Sequence, residues 1–506
     1  MSDSYDFGHS QPGDSLALSV QQAGLTVKGS WLNWPLVAVL LVGSVIAIAD
    51  GFTRPLVLEE DWENTDALTY EPYHAAFVFG FAILPLMIAY QMSAGISRKE
   101  GVLLWFVMCT VAYTKDFAYM SVPGVPIFVT DVVLGGLTLA LLSSLRSSLG
   151  ALGRTPKLAL IWLLASGAIC VGRGFVSGQD KILVLRDSAI VVYSMFLLVS
   201  FLIVSSWESV KRIFVFFVLG AMFSSVNALA WLTAQPGQRR YLPYGVYVLA
   251  GLIGTVLLTT NRSIRPALGW PLSGVLAAGV LVANARTIYI ALATILVIMV
   301  LIGPRAKMQI RRRTLRLCAG TAVAFVLLLW AVVQTKAGAD LLDTTATELV
   351  SGTLYYADDP KAGFRFLAWL EAGQRFAQNP ILGEGFGVPF IFELASEDVR
   401  PHNTFLTILY KMGLLGFLPA MVLLGGFQWK GWGSLRSLHQ DRRAVFLYVL
   451  LLAQLAMSVF GSLNLLLESP FLASMFWVTL GVGMRVISLL RSSPRVLARP
   501  AQIRMG

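Results

Sequence analysis

Fourteen nearly unbroken apolar stretches alternate with short polar connections along the chain. They fall at about 35–49, 73–92, 101–113, 125–145, 158–172, 182–205, 213–233, 242–259, 267–285, 287–303, 315–333, 403–425, 444–465 and 469–490. A helix that crosses a bilayer needs about 20 mostly apolar residues. Inside hydrocarbon the backbone must satisfy its own polar groups, which favours helices. The pattern therefore predicts an all-α polytopic membrane protein with about 14 (12–14) transmembrane helices, of which 101–113 and 158–172 are the shortest. One connection breaks the rhythm. Residues 334–402 form a long, acidic loop, and long loops in compact proteins are usually functional. Phe364 to Phe376 within it reads as an amphipathic helix lying along the membrane interface. The expected organisation is a disordered cytoplasmic tail at 1–30, a bundle of eleven spans at 31–333, a periplasmic loop at 334–402, three further spans at 403–490 and a basic cytoplasmic tail at 491–506. No repeat of 20–50 residues is visible.

Composition supports the membrane reading. The chain is 56% hydrophobic and 13% charged, with mean hydropathy +0.70, whereas soluble domains carry about 25% charged residues. Net charge is +11. Most Lys and Arg fall in alternate connections, among them Arg98 and Lys99, Lys211 and Arg212, Arg305 to Arg316, and Arg485 to Arg504. That bias marks the cytoplasmic side and puts both termini there. The opposite side is acidic in places, with Glu59, Glu60, Asp61, Glu63, Asp66 and Glu71 in the first outer loop. The basic residues therefore read as cytoplasmic anchors, and nucleic-acid binding is not expected. Ala47-Ile48-Ala49 resembles a signal-peptidase site, but the long, weakly basic segment before it favours a first spanning helix. Cys109, Cys170 and Cys318 all lie in apolar spans, so neither a disulfide framework nor a metal site is indicated.

The second half of the long loop carries the densest motifs. Arg365 and Trp369 are four residues apart, on one face of the loop helix. Asn379-Pro380 ends that helix. Gly383, Gly385 and Gly387 follow at alternate positions, where glycine permits unusual backbone angles and close approach. No βαβ unit surrounds them, which excludes a dinucleotide fingerprint. Arg400-Pro401-His402-Asn403-Thr404-Phe405-Leu406 then leads back into the membrane, with Gly413-Leu414-Leu415-Gly416 beyond.

This run resembles the O-antigen ligase and polymerase family of bacterial membrane glycosyltransferases. That family pairs an Arg and a Trp on a loop helix with Pro-x-x-Gly-x-Gly-x-Gly, His-Asn-x-Phe-Leu and Gly-Leu-x-Gly. Here these are Arg365 with Trp369, Pro380 to Gly387, His402 to Leu406, and Gly413 to Gly416. Ala285-Arg286-Thr287 stands where the family has an Arg opening a span, with different neighbours. The resemblance covers roughly residues 285–425.

The resemblance implies a polyprenyl-diphosphate-linked glycan as donor and a sugar hydroxyl, on a glycan or on lipid A-core, as acceptor. Such chemistry needs cations near the departing diphosphate and a group to take the acceptor proton. His402, Arg286 and Arg365 are the expected catalytic set. Arg186, Arg239, Arg240, Arg400, Asn403, Trp369, Gly383 and Gly385 are expected to contact diphosphate or glycan. Each has a plainer alternative. His402 can cap a helix, Arg286 can snorkel to headgroups, and Arg365 and Trp369 can anchor the loop helix to lipid. Arg186 can pair with Asp187, Arg239-Arg240 can be a solvated turn, and the glycines can simply shape the loop. Lys411 and Glu468 are weaker candidates, and His74 reads as interfacial. No cofactor and no metal ion is expected. Membrane lipid, a flippase and a chain-length regulator are the expected partners besides the substrates. The number of spans favours a polymerase over a ligase. A flippase reading would need a two-half repeat and charges at the midplane, whereas the Arg and His candidates gather at the outer ends. A non-catalytic scaffold in polysaccharide assembly is the remaining alternative.

Overall fold

The computed structural model describes residues 34–53, 72–121, 127–148, 150–234, 245–283, 285–302, 360–392, 398–437 and 441–492. The expected tail at 1–30, the span at 315–333 with Cys318, the Arg239-Arg240 pair, the first half of the long loop and most of the basic C-terminal tail lie outside them.

The described residues are helical, with no strand beyond one isolated bridge between Ser121 and Phe128. The protein is an all-α polytopic membrane protein. In chain order the helices are α1 (Trp34–Thr53), α2 (Pro72–Ala94), α3 (Arg98–Ala118), α4 (Val129–Ser148), α5 (Arg154–Val176), α6 (Lys181–Val192), α7 (Met195–Ile203) and α8 (Trp207–Ala234). They continue with α9 (Gly245–Thr260), α10 (Pro266–Val282), α11 (Arg286–Ile302), α12 (Pro360–Gln378), α13 (Thr404–Ser437), α14 (Ala444–Gly461) and α15 (Pro470–Ser492). Among the described residues nine helical segments are long and apolar enough to cross a membrane, with α6 and α7 together forming one of them. Shorter apolar helices fill the places of four other predicted spans.

Breaks inside spans explain several irregularities of the hydropathy pattern. The apolar run ending at residue 113 stops where α3 leaves helical geometry at Thr114 (φ 49°, ψ −118°), with Lys115 and Asp116 following. The stretch at 182–205 is not one helix, because Tyr193 and Ser194 separate α6 from α7. The interruption lets the Tyr193 hydroxyl donate to Asp131 of α4 at 2.8 Å. The predicted spanning helix at 403–425 is also interrupted, since Gly413 has φ 60° and ψ −162°. Its apolar composition masks a backbone break.

The long helix α8 packs against α1, α3, α9 and α10, while α14 bridges α9, α11 and α15. Lipid tails are as apolar as the helices, so association depends on close packing instead of hydrophobic exclusion. Small residues mark the crossings. A Cβ on Gly220 of α8 would stand 2.6 Å from the Met108 carbonyl of α3, and one on Gly481 of α15 would stand 2.2 Å from the Leu197 carbonyl of α7. Ser200 tightens the second crossing by donating to the Val478 carbonyl at 3.2 Å. Towards the loop side, α5 packs on α13, α6 on α5, and α12 on α13. These four helices hold the candidate site.

Gly220→Val should force α8 and α3 apart and lower stability by about 1–3 kcal/mol, the usual penalty of overpacking. Thermal unfolding of the detergent-solubilised protein checks this, and an unchanged midpoint would contradict the close crossing.

Candidate active site

The glycine loop is built as an inlay against the break in α13. Gly383, Gly385 and Gly387 all have positive φ, at 66°, 101° and 86°. At Gly383 an added Cβ would lie 2.5 Å from the backbone of Lys411 and Gly413. Four backbone bonds join the two segments. Glu384 N donates to Tyr410 O at 2.7 Å, Gly385 N to Lys411 O at 2.9 Å, Leu414 N to Pro380 O at 2.8 Å and Leu415 N to Ile381 O at 3.0 Å. The break at Gly413 thus releases carbonyls that a continuous helix would use internally, and the loop supplies their donors. From α5, Arg173 donates through Nη1 to the Leu382 and Gly383 carbonyls, both at 3.2 Å.

Beneath the loop sits a buried ionic cluster. Asp187 of α6 is fully buried, and its carboxylate meets Arg400 Nη2 at 2.7 Å and Lys411 Nζ at 2.9 Å. It also accepts the Gly387 N–H at 2.9 Å. Lys411, itself 1% exposed, donates further to the Val388 carbonyl. Ionised groups taken out of water need partners on all sides, and Asp187 finds them on three different segments. Arg186, its neighbour, pairs with Asp398 instead, and Asp398 accepts the Phe390 N–H at 2.7 Å. The Arg186–Asp187 pairing suggested by sequence adjacency is therefore not formed. Both side chains reach across to the loop.

The loop helix α12 docks through Ala368 and Ala372 against Phe390 and Tyr410. Arg375 secures its end, donating to Glu371 at 2.7 Å, to Glu384 at 3.2 Å and to the carbonyls of Pro389 at 3.1 Å and Ile391 at 2.6 Å. Its guanidinium lies over the Phe390 ring at 4.8 Å. Phe366, Leu367 and Leu370 face outwards from the opposite side of α12.

His402 stands between these anchors, half-buried and with φ 51°. A non-glycine residue in this left-handed region costs about 1–3 kcal/mol and persists only where its surroundings impose it. The constraints are on both flanks. Arg400 is tied to Asp187, and the Pro401 carbonyl accepts Trp369 Nε1–H at 2.7 Å. The Asn403 side-chain Oδ1 caps α13 by accepting from Phe405 N and Leu406 N, both at 3.1 Å. The Thr404 hydroxyl donates to Glu468 and accepts from Leu466 N at 2.7 Å. Burial, and then the positive charge of Arg365, push the His402 imidazole down to about 4. It is therefore neutral at ordinary pH, with a lone pair free for a proton.

Arg286 opens α11, and the next residue, Thr287, accepts from Asn464 Nδ2 at 2.9 Å. The same turn, 462–469, holds Thr404 through Leu466 and Glu468. Thr287, next to Arg286, and Thr404, two residues after His402, thus meet the same turn, and the charge of Arg365 acts on His402. Arg186, Arg400, Asn403, Trp369, Gly383 and Gly385 all belong to the surrounding framework. The interactions described give Arg400, Asn403, Trp369 and Gly383 structural duties. Arg173, Arg375 and Tyr410 were not singled out from sequence. The Glu371–Arg375 spacing of four was a visible signal for one of them. Arg173 was legible as a basic residue on the side that carries fewer.

Residues 271–421 match the O-antigen ligase family. The protein carries a domain of that family. The match covers less than a third of the chain, including α11, α12 and most of the site just described. No curated protein and no solved structure matches the chain. The domain's activity is of the O-antigen ligase and polymerase type, that of a membrane glycosyltransferase-like enzyme with a glycan donor and a glycan or lipid A-core acceptor.

Gly383→Ala should abolish activity in protein that still inserts into the membrane, because the new methyl meets backbone and not a yielding side chain. Trp369→Phe keeps the ring but removes the bond to Pro401, with an expected loss of about 1 kcal/mol in stability and a clear loss of turnover. Specific activity per folded molecule, with folding followed by thermal unfolding, checks both.

Proposed function

We propose that the protein polymerises polyprenyl-diphosphate-linked oligosaccharide repeat units into surface polysaccharide at the periplasmic face of a bacterial inner membrane. The observation that carries this reading is His402, a neutral imidazole held in an imposed backbone conformation beside Arg365. The acceptor hydroxyl gives its proton to the imidazole as its oxygen bonds to the anomeric carbon of the donor. The bond from that carbon to the diphosphate breaks, and the electron pair leaves with the diphosphate. Arg365 and Arg286 supply fixed positive charge for the leaving group, an arrangement that favours the transition state over the ground state. An arriving diphosphate also offsets the field of Arg365 at His402 and raises the basicity of the imidazole when the donor is bound. Arg186, partly exposed beside the ionic cluster, extends the anion-binding surface, and Arg239-Arg240, outside the described residues, are further proposed contacts for the same anion. The outward apolar side of α12 suits contact with membrane lipid. A flippase that delivers the donor and a regulator of chain length are the partners such an enzyme needs.

The ligase reading shares this donor chemistry and passes the glycan to lipid A-core. The description of the matched family favours it, and the fourteen spans expected from the sequence favour polymerisation. A deletion strain complemented with wild type, His402→Ala or Arg286→Ala decides between them. Accumulation of single lipid-linked repeat units supports the polymerase. Long lipid-linked chains that never reach lipid A-core establish the ligase. Unchanged polymer in both variants would sink the site.

A pH profile provides a second check. The neutral imidazole is the active form, so turnover of lipid-linked units in proteoliposomes should hold at neutral pH and fall as pH drops through about 4. Arg365→Gln removes a positive neighbour, which raises the imidazole's affinity for its proton. The acid limb should therefore move to higher pH. A limb unmoved by this change would contradict the coupling.

A further inference from the structure

We propose that Asp187 is a positioning residue for the reaction, acting through Arg400 and the glycine loop to hold His402 in its left-handed backbone conformation. The proposal rests on the reading of His402 as the base. Four observations converge on it. Asp187 is fully buried, and its carboxylate binds Arg400, Lys411 and the Gly387 N–H. These partners lie on the approach to His402, on the helix that follows it and on the glycine loop. His402 has φ 51°, which its own chemistry does not favour. Arg400, two residues before it, is only 12% exposed and makes its ion pair with Asp187.

The logic is mechanical. The chain from Arg400 to Thr404 is pinned at each residue around His402, by Asp187, Trp369, the Asn403 cap and Glu468. Releasing the first pin lets the backbone before His402 relax towards an ordinary negative φ. The imidazole then swings away from Arg365 and from the reacting hydroxyl. Release also frees Lys411 and Gly387 together, because one carboxylate holds all three segments. A carboxylate that served only to neutralise Lys411 would leave His402 unaffected.

Asp187→Asn keeps size and polarity while removing the charge. Its effect is measured in proteoliposomes, with lipid-linked repeat units extracted from the deletion strain as substrate. The same change is made in the His402→Ala background, and the folded fraction is followed by thermal unfolding. The expected result is a fall in kcat of about 100-fold per folded molecule, the scale of a misplaced catalytic group, with KM within about twofold. The acid limb of the Asp187→Asn profile should rise as His402 leaves its buried place beside Arg365. In the His402→Ala background the added change should cost no further turnover, because Asp187 acts through the missing imidazole. Equal losses in both backgrounds would overturn the proposal, as would lower folded yield with full specific activity. His402→Ala at wild-type turnover would instead overturn the base role itself, and with it the route assigned to Asp187.

Discussion

Asp187 is the point on which the loop-bearing end of the bundle depends. It is a carboxylate at zero exposure, nearly two turns into α6, and its charge is met by Arg400, Lys411 and a backbone N–H of the glycine loop. A buried ion is tolerated only when its partners are held in place, and a buried pair broken on one side destabilises far more than an intact pair stabilises. The cluster is therefore best understood as a constraint. It obliges the loop, the approach to α13 and the first turns of α13 to occupy one arrangement relative to α6. Lys411 can reach Asp187 because Gly413 interrupts α13 just beyond it, and the loop fits that interruption because its glycines adopt positive φ.

The same constraint explains how a loop can hold the candidate site in one geometry. Loops are normally the mobile part of a protein, and function on them needs a rigid support. Here the support comes from four sides. Arg173 of α5 holds the glycine carbonyls, Asp187 of α6 holds the charges, and Arg375 and Trp369 of α12 hold the later loop. The turn at 462–469 holds Thr404 and links to Thr287. Few of these residues touch chemistry in the proposed mechanism. Their number measures how much framework is needed to keep one histidine in an unfavourable conformation.

Much of this was legible in the sequence. The apolar run length set the fold class, because a bilayer demands a minimum span and leaves the backbone no other partner. The motif from Arg365 to Gly416 pointed to the candidate site, since glycines at alternate positions and a His-Asn pair before an apolar span are unusual and carry backbone meaning. The sequence also paired Arg365 with Trp369, which helical periodicity alone requires.

Partner choice was not legible. Arg186 and Asp187 are adjacent in sequence, yet adjacent residues on a helix point in different directions, so each found a partner about 200 positions away. Arg400 and Asn403 carried the motif's look of substrate contacts, and the structure also pairs Arg400 with Asp187 and uses the Asn403 side-chain Oδ1 as a helix cap. The breaks at Thr114, Tyr193-Ser194 and Gly413 were hidden too, because hydropathy averages over a window while a break is a property of one or two dihedral angles. Composition and local spacing thus determined that the chain spans a membrane and which segment carries the candidate motif. Only the tertiary structure decided which charges meet, because burial removes water as the alternative partner and makes every ionic group choose among those the fold brings near.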